Sequence, residues 1–117
     1  MSRDAVLILT PDVLAAALLG AVVDLAGHRP HFALDGEHGR DALRRTRPRL
    51  VLVDCDHDAN CTDAFIGPAL MTGAQVILVH SWRAPRDPRT LDAAQGLPVL
   101  TLPDETARLL ELLRAAA

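Results

Sequence analysis

The chain has 117 residues, 50% hydrophobic and 23% charged, with a formal net charge of −3, which suits one water-folded domain with a single core. That balance excludes a general electrostatic attraction to nucleic acid or to anionic membranes. All 12 cations are arginines, and lysine and tyrosine are absent.

The run 5–10 (AVLILT) predicts a first strand. Together with 13–26 it is apolar enough to suggest a targeting segment, but Asp4, Pro11, Asp12 and Asp24 interrupt it. No span of roughly 18 apolar residues remains to cross a membrane, and no signal-peptide layout is present. A helix is expected over 11–26, with Thr10 as hydroxyl cap, Pro11 at the first helical position and Asp12 in the first turn. Its strongly polar residues, Asp12 and Asp24, share one row with Ala16 and Gly20, so the usual broad polar face is missing. Dense packing within the monomer is the expected reason, and a partner contact is the alternative.

Gly27 closes that helix, and 30–34 (PHFAL) predicts the second strand. A second helix carries Arg40, Arg44 and Arg47 on one side, a row that could meet an acidic partner or simply face solvent. The third strand, 49–54 (RLVLVD), is continuously apolar, as a strand covered on both faces should be. After a third helix closed by Gly73 come a fourth strand, 75–80 (QVILVH), and a fourth helix. That helix is the weakest element, because APRDPRTLDAAQG offers few apolar residues. The strand at 97–102 and a last helix, DETARLLELLRAAA, complete five β and five α units. The alternation predicts βαβ units and a parallel sheet. The last helix carries Leu109, Leu110, Leu112 and Leu113, more than one buried stripe requires, so a homodimer or protein-partner interface is expected there.

In open α/β sheets, ligands gather beyond the carboxyl ends of the strands. Thr10, Asp54, His80, Ser81 and Leu102 fall at those ends, with Pro11, Asp12 and Asp56 beside them. With an apolar first strand, Gly27, Asp35-Gly36, Asp54 ending strand three and Leu102-Pro103 ending strand five, nearly the whole chain resembles the receiver domain of two-component response regulators. The resemblance implies a doubly wound (βα)₅ flavodoxin-like three-layer sandwich of strand order 2-1-3-4-5, with Asp54 at the phosphoacceptor position.

Receivers bind Mg²⁺ through an acidic pair after strand one, and use a hydroxyl after strand four and a lysine after strand five. Those positions hold Thr10 and Pro11, His80 and Leu102. Asp12 with Asp54 is the candidate for weak Mg²⁺ binding, Ser81 the candidate to replace the hydroxyl, and Arg83 a candidate to approach in place of the lysine. Otherwise no cofactor is expected. The resemblance therefore implies an atypical receiver, a non-enzymatic, phosphorylation-independent signalling and protein-interaction module. A phosphoacceptor using Asp54 and a small-molecule-binding regulatory domain remain as alternatives, with Trp82 as a reporter at the pocket rim.

Other constellations fall short. Asp54, Asp56 and Asp58 begin like a calcium loop, but Ala59 and Phe65 occupy the positions of its glycine and glutamate. Cys55, His57 and Cys61 match no structural zinc spacing. Two cysteines are too few for a disulfide scaffold, so a reducing cytoplasm is expected and a bridge between them is not.

Overall fold

The computed structural model describes residues 4–81 and 87–116. Trp82 and Arg83 lie outside the described residues. Strand β1 (Ala5–Leu9) leads into helix α1 (Val13–Leu25), followed by β2 (Arg29–Phe32), α2 (Gly39–Thr46), β3 (Leu50–Asp54), α3 (Asp63–Met71), β4 (Gln75–His80), β5 (Val99–Thr101) and α4 (Thr106–Ala115). The five strands form a parallel sheet in the order β2-β1-β3-β4-β5.

The central strands read as unbroken apolar runs because alternate side chains enter different cores. Leu7, Leu9, Val51 and Val53 pack beneath α2 and α3 with Ala42, Phe65 and Ile66. Val6, Ile8, Leu50 and Leu52 face the other way, against Leu19 and Val23 of α1 and Leu109 and Leu113 of α4. These layers hold β1 and β3 side by side, Leu9 opposite Val53. Their carboxyl ends, with Thr10 and Asp54, are thereby adjacent.

The sequence expectation of five α-helices is corrected to four among the described residues. Where the fourth was expected, two 3₁₀ turns form, Pro88–Thr90 and Asp92–Ala94. Asp87 Oδ1 accepts from Arg89 N at 2.9 Å, and Thr90 Oγ1 donates to the Asp87 carbonyl at 2.8 Å. Such local bonds compete with a helical ladder, and this segment lacks the apolar stripe that would decide in the helix's favour.

Helix α1 departs from expectation in two ways. Its cap is Asp12, whose Oδ2 accepts from Ala15 N at 2.9 Å; Pro11 therefore precedes the cap, and Thr10 is free for another role. The monomer also buries only one stripe of it, Leu19, Val22 and Val23. Val13 and Leu14 are about four-fifths exposed, at 81% and 80%, and Leu25 is exposed too. Gly20 of the supposed polar row lies against the sheet, where an added Cβ would come within 3.2 Å of Phe32 Cζ.

In α4, Leu109 and Leu113 are fully enclosed by the core, while Leu110 and Leu112 are half-buried. Of the four leucines expected at an interface, only the latter pair has surface to offer a partner. The bridge considered improbable from sequence is present: Cys55 and Cys61 are joined, with Cα atoms 5.2 Å apart. The chain turns back on itself between them, through bonds from Asp58 N to the Asp54 carbonyl and from Cys61 N to the Asp58 carbonyl. That return brings the two Cα atoms within disulfide range, which cysteine counting does not register.

Candidate functional site

Strand β3 delivers Asp54 to the sheet's carboxyl end only 4% exposed, where a carboxylate needs partners. It has three. Thr10 Oγ1 donates to Asp54 Oδ2 at 2.7 Å, the backbone N–H of Asp56 donates to Oδ1 at 3.0 Å, and His57 Nδ1 lies 2.9 Å from Oδ2. Thr10 also accepts from Asp12 N at 3.1 Å, which couples the start of α1 to the same carboxylate.

Asp54 holds His57 protonated to higher pH than the usual 6.5, first through their hydrogen bond and then through its charge. Because the folded-state pKa is raised, the stability this pair contributes is complete below the unfolded value. It is lost as pH rises through the folded value. His57 is 52% exposed, so water screens the interaction and the effect on stability is small. Following the His57 ring by NMR across pH should show Asp54→Asn moving its titration down toward 6.5; an unchanged midpoint would mean that the pair does not form in solution.

Asp56, His80, Ser81 and Leu102 lie together at the same end of the sheet. Asp56 Oδ2 accepts from Ser81 N at 2.8 Å, fastening the β3–α3 loop to the end of β4. His80 Nε2 lies 3.5 Å from Thr101 Oγ1, and its Nδ1 is buried without a hydrogen bond to any described residue. Leu102, at the position where a receiver carries lysine, lines an open cleft of about 490 Å³ with Leu14, Leu18 and His57. Asp12, Ser81 and Asp56 line it too, whereas Thr10 and Pro11 do not. What sequence reasoning missed was the link from His57 to Asp54. Its one available signal was the three-residue spacing past a strand end.

The acidic pair through which receivers bind Mg²⁺ is missing after β1. Threonine and proline stand at the acidic-pair positions, and the Asp12 carboxylate is engaged as a helix cap. The compact group of potential ligands is instead Asp54, Asp56 and His57, one donor atom from each lying within 4.8 Å of the others, and one of the three is a nitrogen. The bridge removes Cys55 and Cys61 as thiolate ligands. Elsewhere, Arg40, Arg44 and Arg47 line a surface groove of about 720 Å³ between α2 and α3. No helix among the described residues is long and apolar enough to cross a membrane.

Comparison with solved structures gives many matches over nearly the whole chain. The chemotaxis protein CheY4 of Vibrio cholerae aligns at TM-score 0.72 and 15% identity, covering 99% of this chain and 100% of that one. The receiver domain of a Pseudomonas aeruginosa sensor histidine kinase, which holds a magnesium ion in its active-site cleft, aligns at 0.73 and 18%, covering 97% of each chain. A putative pilus assembly-related protein of Burkholderia pseudomallei aligns at 0.70 and 22%, covering 97% of this chain and 89% of that one. No family model matches the sequence, and no curated protein does. At these identities the likeness establishes the fold, which is that of CheY-like receiver domains.

Proposed function

We propose that this receiver-fold domain is a non-enzymatic protein-interaction module that works without phosphorylation. The observation that carries the reading is the state of Asp54. Both of its oxygens are occupied by donors from the chain itself, Thr10, His57 and the Asp56 backbone. An attacking carboxylate must meet an anionic phosphoryl group with cations arranged around it, since positioning and charge neutralisation provide nearly all of this catalysis. Among the described residues, the cationic side chain at Asp54 is the imidazole already bonded to the would-be nucleophile, and the lysine position is Leu102. The exposed apolar side of α1 supports a protein partner or a second copy as the binding target.

Incubation with acetyl phosphate and Mg²⁺, read by intact-protein mass, tests the proposal. No phosphoryl adduct is expected on wild type. An adduct on wild type that Asp54→Ala abolishes would replace this reading with that of a phosphoacceptor. A second reading, a small-molecule regulatory domain, is favoured by the apolar lining that Leu14, Leu18 and Leu102 give the cleft. Native mass spectrometry of protein taken from cells would support it through a stoichiometric bound metabolite.

A further inference from the structure

We propose that the groove between α2 and α3 docks an acidic, amphipathic segment of a partner protein, with its carboxylates on Arg40, Arg44 and Arg47 and its apolar side on Leu43, Pro48 and Pro68. The groove shares no residue with the cleft at Asp54, and α2 and α3 cover the face of the sheet opposite α1. This inference can therefore fail while the interaction reading stands.

The groove is open and about 720 Å³ in volume. Its three arginines stand at i, i+4 and i+7 and so follow one side of α2 over about 10 Å. Leu43, Pro48 and Pro68 add apolar surface to its lining, and Met71, three positions beyond Pro68 on α3, is 89% exposed. The chain does little to neutralise the cationic row. Glu37 is engaged through both carboxylate oxygens by Arg45 at 2.9 Å. Arg44 reaches Asp41 only at 3.7 Å, with both side chains largely exposed. Among the described residues no carboxylate pairs with Arg40 or Arg47. On a chain of net charge −3, this is a local attraction for acids placed beside apolar surface, the complement of an acidic, amphipathic segment.

Arg47 supplies a second, independent observation. It caps the end of α2 at φ 44 and ψ 59, in the left-handed region where glycine is the usual occupant and a Cβ is disfavoured. Among the described residues it is the only one other than glycine with positive φ. Glycine would serve the helix end better, so the arginine is there for its side chain, which lines the groove.

The layout selects carboxylates over phosphate. A row spread along two turns matches acids spaced along a segment, each taken by one planar guanidinium. A phosphoryl group asks for donors that converge on one point. The helix ends that reach the groove, at Arg47 and Thr72, are both carbonyl ends, whose dipoles oppose a concentrated dianion. The lining also holds no aromatic side chain on which a base could stack.

The test titrates the whole protein into a fluorescein-labelled helical peptide that carries glutamates at i, i+4 and i+7 with leucines beside them, read by anisotropy. The peptide should bind saturably, and its counterpart with glutamine for glutamate should bind at least about tenfold more weakly. An exposed ion pair is worth up to about 5-fold in affinity, so Arg44→Gln and Arg47→Gly should each weaken binding about 3- to 5-fold, and together about 10- to 25-fold. Arg47→Gly should also leave the urea unfolding midpoint unchanged or raised, because glycine accepts this φ freely. The proposal is overturned if the peptide does not bind, or if its counterpart or the two variants bind as the originals do. It is equally overturned if inorganic phosphate displaces the peptide, which makes the groove a phosphate site, or if light scattering shows a dimer that Arg44→Gln dissociates, which makes a second copy the occupant. A lowered midpoint for Arg47→Gly overturns it too, since the arginine then supports the fold.

Discussion

Replacing Leu109 by alanine is expected to cost about 2–5 kcal/mol, the range for truncating a leucine in a core that closes imperfectly over the cavity. Leu109 is 0% exposed and packs with Val6, Ile8, Val23 and Leu100, so the lost methyl groups leave a void that no water-facing rearrangement can fill. The half-buried Leu110 and Leu112 should each cost clearly less when truncated. Urea unfolding of the three variants at equal m-value checks the order. An equal loss at all three would mean that α4 packs in a different rotation. The same set separates two roles the sequence cannot: Leu109 supports the fold, whereas Leu110 and Leu112 remain available to a partner.

The second large effect concerns the loop beyond β3. Cys55 and Cys61 are six positions apart, and reducing their bridge releases the short loop that carries Asp56 and His57. By the chain-entropy relation a loop of this size is worth about 2 kcal/mol. Unfolding with and without reductant should differ by that amount, and mass after alkylation should show that two thiols have appeared. The looser loop should also let His57 drift from Asp54, lowering its pKa toward the usual value. If reduction leaves both stability and the His57 titration unchanged, the bridge does not shape the site.

Why the sheet is legible in the sequence, and parts of the site are not, follows from the range of the forces involved. Unbroken runs such as LVLVD and QVILVH can bury both faces only inside a covered parallel sheet, so β1, β3 and β4 are readable from local pattern. Gly27 and Gly73 signal helix ends because each adopts φ +90, a conformation that costs other residues. The fourth helix misleads because DPRT satisfies itself locally, which an apolar count does not weigh. At the N-terminus of α1, Thr10 and Asp12 are both competent caps, and the choice is settled from outside. Asp54, 44 positions away, engages the threonine hydroxyl and leaves the cap to the aspartate. The exposure of Val13 and Leu14 is likewise a tertiary fact: the composition of α1 shows too much apolar surface, but not which part the rest of the chain declines to cover. His57 was visible only as a member of an unconvincing metal spacing. Its partner is set by the backbone turn that the bridge closes.

His28 Nε2 lies 2.6 Å from the carbonyl oxygen of Leu113, 85 positions later, and α4 supplies two of the largest buried side chains on the α1 side of the sheet. On a ribosome this sets an order of events. The α2–α3 side can assemble from residues through β5, Ala94 and Val99 included, but Val6, Ile8, Leu50 and Leu52 keep an uncovered flank until residues 106–115 have left the exit tunnel. Because contacts so distant in sequence close late, the nascent chain passes through an interval with one finished side and one open side. A chaperone that recognises apolar strands would find its opening in that interval, and the emergence of α4 would end it.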